Sequence, residues 1–188
     1  MTGKLKHNHS LTVVALFIAA SAQAQIIPVA KVNTAGPAVL VARQSVATVE
    51  KLCDTRLYAL GSVNDPVDML GLTRGLYLSN YGVVFSSEIS LVVTPTIMPF
   101  RPTITKELHD QVHQRKVDRV PALRAAMIEM IKRAAQELPQ VSDSQQIVVA
   151  VRLDYMSWED RTGLPGQIVM SATRKDALAG AVQTTEEQ

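Results

Sequence analysis

The chain is poor in cysteine. Cys53 is its only thiol, and a single thiol cannot form a disulfide within the chain, so a disulfide-stapled fold is excluded. The neighbours Val46, Val49 and Leu52 place this thiol on the apolar face of a short helix. We therefore predict a buried, unreactive Cys53 in preference to a nucleophile or an intermolecular bridge.

The chain also lacks an apolar run of the roughly 20 residues that a transmembrane helix needs. The run at residues 11–20 (LTVVALFIAA) has ten residues. It follows two lysines and precedes an A-x-A site at residues 22–24, which together are typical of a secretory signal peptide. We expect removal of residues 1–24, with no cysteine directly after the cleavage site to carry a lipid. The mature protein is predicted to begin at Gln25 and to be periplasmic or secreted.

An excess of charge of one sign is missing. The chain has 19 Lys and Arg residues against 17 Asp and Glu residues, and the two extra bases, Lys4 and Lys6, lie in the predicted signal peptide. The mature chain is therefore neutral and has no dense cluster of basic residues. Because nucleic-acid recognition requires such a cluster, we predict no nucleic-acid partner.

Familiar catalytic patterns are missing as well. The sequence contains no G-x-S-x-G, no P-loop, no G-x-G-x-x-G and no C-x-x-C. Its carboxylates are scattered on helix exteriors, so no pair stands out for acid and base catalysis. These absences favour a non-enzymatic binding or interaction module that uses no cofactor, whose partner is another extracytoplasmic protein.

What the chain does have is a strong hairpin signal at residues 72–93. On the second arm, apolar and polar residues alternate, which predicts a half-buried strand. Residues 79–82 (SNYG) tolerate the positive φ that a short turn requires. The apolar positions of this arm are Val83, Phe85, Ile89, Leu91 and Val93.

Two amphipathic helices are predicted. The first covers about residues 39–59. The second opens after Thr105 and meets Pro121, which we expect to kink or restart it, with Asp118 as a possible new N-cap. The clearest part of this long helix carries an apolar stripe made of Leu123, Met127, Ile131, Ala134 and Leu138.

Two more strands are predicted, at residues 147–155 and from residue 167, joined by a loop in which Trp158 plugs the end of the sheet. The order of elements predicts one α+β domain at residues 39–180. Its expected architecture is a four-stranded, mainly antiparallel sheet of two hairpins, with a long kinked helix and a shorter N-terminal helix on one face. Residues 25–38 are predicted to be a flexible arm and residues 181–188 a polar tail.

The connector at residues 94–103 contains three prolines, which exclude a helix or a central strand. Its apolar residues Ile97, Met98 and Phe100 are unusual, because a surface connector needs none. They form either a lid over one end of the core or a strip that docks a partner. We take these three as the candidate partner-binding residues.

His109 and His113 are the only histidines after residue 24. Four residues apart on a helix, their rings could share one metal ion. The sequence HDQVH resembles the H-E-x-x-H motif of zinc proteases over these five positions, with Asp110 in place of the glutamate that activates water. The alternative function is thus a zinc-dependent hydrolase with a third ligand from Glu129 or Glu137. The simpler interpretation is two solvated polar residues.

Overall fold

Six strands form one mixed sheet in the computed structural model, which describes residues 43–94 and 104–187. Across the sheet the order is β1, β3, β4, β5, β6, and β2 also pairs with β3, beside β1. β3 and β4 run parallel, and the other pairs are antiparallel. The strands are β1 Asp68–Met69, β2 Arg74–Leu78, β3 Gly82–Ser90, β4 Gln146–Leu153, β5 Gln167–Thr173 and β6 Gln183–Glu187.

Three helices accompany the sheet within the described residues: α1 Arg43–Tyr58, α2 Lys106–Glu137 and α3 Arg174–Ala179. α2 is the crossover between β3 and β4. The chain reverses direction where it enters α2 and again where it leaves it, so the strands before and after the helix are parallel. α2 therefore joins the two predicted hairpins into one sheet.

The α+β class is confirmed, and both predicted hairpins form. The sheet has six strands where four were predicted, and it is mixed, with four antiparallel strand pairs and one parallel pair. β1 is only two residues long, and β6 lies in the segment that we expected to be a polar tail. Its sequence, QTTEE, has none of the apolar alternation that marks a half-buried strand, and it pairs with β5 through its backbone.

α2 continues through Pro121 without a restart. Its N-cap is Thr105, as predicted, whose hydroxyl oxygen accepts a hydrogen bond from the Leu108 N–H at 3.3 Å. Asp118 lies inside the helix and caps nothing.

The turn between β2 and β3 uses two residues with positive φ, Asn80 at 65° and Gly82 at 136°. A side chain at Gly82 would place its Cβ 1.9 Å from the Gln146 carbonyl oxygen. The Gln146 N–H in turn donates to the Tyr81 carbonyl at 2.8 Å. The turn is therefore packed directly onto the start of β4, and only glycine fits at position 82.

The core lies between the helices and one face of the sheet. All five residues of the predicted α2 stripe are fully buried, and so are Cys53 and Phe85. Burial raises the pKa of the Cys53 thiol to about 12, in agreement with the predicted unreactive thiol. None of the described helices is long and apolar enough to cross a membrane.

Candidate functional site

The two histidines lie on the first half of α2 and remain partly exposed, with 34% of the His109 side chain and 24% of the His113 side chain accessible. The Nδ1 atom of His113 lies 3.1 Å from the Asp160 carbonyl oxygen. The Nδ1 atom of His109 lies 3.3 Å from a carboxylate oxygen of Asp110. Each imidazole ring is thus oriented by an oxygen atom close to its Nδ1 atom.

Neither Glu129 nor Glu137 can be the third ligand. α2 is one continuous helix, and at about 1.5 Å per residue Glu129 lies about 24 Å along the axis from His113 and Glu137 about 36 Å. Within the described ranges, no group of three or more His, Cys, Asp or Glu side chains is arranged to hold a metal ion. Among the described residues, the two histidines therefore have no third protein ligand beside them.

A buried ion pair that the sequence analysis missed lies one turn after His113. The Lys116 ammonium donates to a carboxylate oxygen of Glu159, and only 1% and 2% of the two side chains are exposed. The same ammonium lies 3.2 Å from the Asp154 carbonyl oxygen and 4.5 Å from the centre of the Tyr155 ring. Thr94 contacts the other oxygen of Glu159 at 3.4 Å.

Burial dominates the electrostatics of this cluster. Desolvation lowers the pKa of Lys116, against the raising effect of the hydrogen bond to Glu159. Desolvation also raises the pKa of Tyr155 to about 12, and its hydroxyl donates to the Pro165 carbonyl at 2.7 Å. The enclosed ion pair fastens the loop after β4 to α2.

Next to this cluster, a cleft of about 340 Å³ opens at the end of β4 and β5. Its walls carry charges of both signs, from Arg152, Asp154, Arg161 and Glu187. An apolar wall of the kind that holds a small molecule is missing from these lining residues. The cleft therefore gives no argument for a specific ligand.

The candidate strip Ile97, Met98 and Phe100 lies outside the described residues, so its role as a lid or a docking strip stays a prediction.

Trp158, the predicted plug, is partly buried. Its indole nitrogen is enclosed and has no hydrogen-bond partner.

A larger surface lies on the face of the sheet that points away from the core. In β3, β4 and β5 the inward positions are buried, so the alternate residues point outward. Leu76 pairs with Val84, and Val84 pairs with Val148, so three apolar residues form a row across three strands. We call the outward-facing apolar residues the outer patch: Leu72, Leu76, Leu78, Val84, Val148, Ala150 and Val169.

Exposure in the outer patch rises towards β2. Val148 in the centre of the sheet is 6% exposed, whereas Leu76 is 61% and Leu72 58% exposed. None of the three described helices covers this face, since their buried residues belong to the core cluster on the other side. An apolar row with leucines this exposed is typical of a surface that meets another protein.

The edge of β2 beside the outer patch is closed by α1. The Gly75 N–H donates to a carboxylate oxygen of Glu50 at 2.7 Å, and the Thr73 N–H donates to one of Asp54 at 2.8 Å. These two carboxylates lie one helical turn apart and take the backbone donors that an added strand would need. Arg43 holds Glu50 with two hydrogen bonds, at 2.9 and 3.0 Å. These contacts leave fewer free backbone donors for strand addition at this edge, whereas the face of the sheet stays open beside it.

Comparisons with protein-family models, with curated proteins and with solved structures found no match to this chain. Its function is therefore argued from its own residues.

Proposed function

We propose that this chain is a small exported interaction module without catalytic activity, which binds through the outer patch of its sheet. The observation that carries the proposal is the row Leu76, Val84 and Val148, in register across three strands and uncovered by any described helix. In a complex, the area removed from water would come from the exposed members of the patch, above all Leu76 at 61% exposure, at about 25 cal/mol per Å² of apolar area. The predicted signal peptide supports the assignment to the periplasm or the exterior.

The partner that we propose for this surface is a second copy of the chain. The charged residues around the patch are balanced in sign, Arg74 and Arg152 against Glu88 and Glu187, and Arg152 already lies 3.5 Å from Glu88. A face of one sign would repel its own copy, whereas a balanced face can meet it without net repulsion. The balance also argues against nucleic acid as the partner.

The size of the patch sets the expected strength of the dimer. With strands about 4.8 Å apart and outward residues repeating about every 6.8 Å, four strands and three rows cover roughly 400 Å² in projection. A stable interface buries about 800 Å² per partner. The apolar patch alone is smaller than this area, so an interface of that size would also have to include the polar residues around the patch. We therefore expect a weak dimer that forms at micromolar or higher concentration.

Replacing Leu76 with serine should abolish self-association and leave the monomer's stability within about 0.5 kcal/mol, because an exposed leucine contributes little to folding. Leu178→Ser is the matched control, since Leu178 is 42% exposed but lies on α3, away from the patch. Sedimentation equilibrium and denaturant unfolding measure the two quantities. An unchanged dimer in Leu76→Ser, or equal effects of both substitutions, would contradict the proposed surface.

Export is tested at the N-terminus. We expect the protein recovered from the exported fraction to begin at Gln25, after cleavage of the A-x-A site. Intact-mass measurement and N-terminal sequencing read this directly. Recovery of the chain with Met1 still present in that fraction would refute the signal peptide.

A further inference from the structure

We propose that His109 and His113 form an exchangeable binding site for one divalent transition-metal ion of the class that prefers imidazole, namely Cu²⁺, Ni²⁺ or Zn²⁺. This site is independent of the outer patch and of the self-association proposed above.

The helix supplies the geometry. Both histidines lie inside the continuous α2, four residues apart, so their side chains project from one face with Cβ atoms about 5–6 Å apart. Imidazole nitrogens bind zinc at about 2.0–2.1 Å. Two rings at this spacing can therefore meet at one ion without any movement of the backbone.

The hydrogen bonds select which nitrogen is free. A carbonyl oxygen can only accept, so His113 Nδ1 carries the proton that it donates to the Asp160 carbonyl. His109 Nδ1 likewise faces the Asp110 carboxylate. In the neutral rings, Nε2 is then the unprotonated nitrogen on both side chains. Histidines that bind metals usually have this arrangement, with the second ring nitrogen held by an oxygen acceptor.

The surroundings favour a cation. The Asp160 carboxylate lies 3.9 Å from His113 Nδ1, and one of its oxygens accepts a hydrogen bond from the Thr162 N–H at 2.9 Å. An acidic side chain is thus fixed beside the site. Because this carboxylate faces Nδ1 and not Nε2, it orients and charges the site without itself being a ligand.

The part of the chain that the structure describes offers no third protein ligand, and this defines the kind of site. With two protein nitrogens, the remaining positions of the ion belong to water or to another molecule. Structural zinc sites use four protein ligands and catalytic zinc sites three. A pair of partly exposed histidines therefore binds and releases metal and supports neither a zinc-dependent fold nor the hydrolase chemistry. The order of affinities should be Cu²⁺ above Ni²⁺ and Zn²⁺.

The test uses residues 25–188 without an affinity tag, in which His109 and His113 are the only histidines. Cu²⁺ is titrated calorimetrically, and electron paramagnetic resonance counts the nitrogens bound to the ion. We expect one ion per chain with two nitrogen ligands. Replacing either histidine with asparagine should weaken binding by about tenfold or more and leave one nitrogen, since the chelate is lost.

Gln114→Ala on the same helix and Glu129→Gln are the controls, and both should bind Cu²⁺ like the unmodified chain. The melting temperature of each variant checks that it is folded. Full affinity in both single-histidine variants, or a single nitrogen ligand in the unmodified chain, would overturn the proposed site. A loss of affinity in Glu129→Gln as large as in the histidine variants would also contradict it.

Discussion

Replacing Glu159 with glutamine is expected to destabilise the domain by about 3 to 5 kcal/mol, because it leaves the buried ammonium of Lys116 without a counter-charge. Both side chains are almost completely enclosed, so water cannot take the place of the lost carboxylate. The Asp154 carbonyl at 3.2 Å and the Tyr155 ring offset only part of the cost. The denaturant midpoint at neutral pH measures the change.

The control is the double variant Lys116→Met with Glu159→Leu, which removes both charges and keeps similar volumes. Apolar replacement of a whole buried pair is often neutral or stabilising, so we expect it to recover most of the stability lost in Glu159→Gln. A Glu159→Gln variant as stable as the unmodified chain would show that the pair is not enclosed in solution.

The pH dependence of the stability is a second test of the same ion pair. Burial lowers the pKa of Lys116 in the folded chain below the ordinary 10.5. At pH values between the lowered pKa of Lys116 in the folded chain and its ordinary pKa in the unfolded chain, the unfolded chain binds more protons than the folded one. The free energy of unfolding should therefore rise with pH across this window. Glu159→Gln removes the group that raises this pKa, and the rise should start at lower pH.

The second large effect is expected in the core. Ile131 is fully buried in the cluster that joins α2 to the sheet, so Ile131→Ala should cost about 2 to 5 kcal/mol through lost apolar burial and the cavity it leaves. Lys132→Ala, the next residue on the same helix, should cost less than about 0.5 kcal/mol. Equal shifts of the melting temperature would show that the face of α2 assigned to the core is wrong.

Periodicity explains which elements could be predicted. The α2 stripe and the β3 alternation were visible because their apolar residues repeat with the period of the element. β6 was missed because its polar residues show no such repeat. Lys116 was missed although a signal existed, since it lies four residues from both Val112 and Val120, on the buried stripe of α2.

Tertiary contacts account for what no local pattern could reveal. Glu159 comes from a loop 43 residues after Lys116, and Asp160 reaches His113 from the same loop. The spacing of the histidines predicted a shared ion, but only the structure shows that this loop fixes the proton on the Nδ1 atom of His113. The outer patch could not be assigned from the sequence, because the alternation of apolar and polar residues shows that a strand has two faces but not which face the helices cover. The structure places all the described helices on the opposite face.

The central claim is that two copies meet through the outer faces of their sheets, and pulsed electron paramagnetic resonance between spin labels tests it most directly. Cys53 is buried and unreactive, so a cysteine introduced at Ser86 in the outer face, or at Arg133 on the exposed side of α2, carries the only label. Sheets packed face to face lie about 10 Å apart. We predict distances between copies of about 20–30 Å at position 86 and above about 40 Å at position 133. A short distance at position 133, or none at position 86 at high protein concentration, would contradict the account.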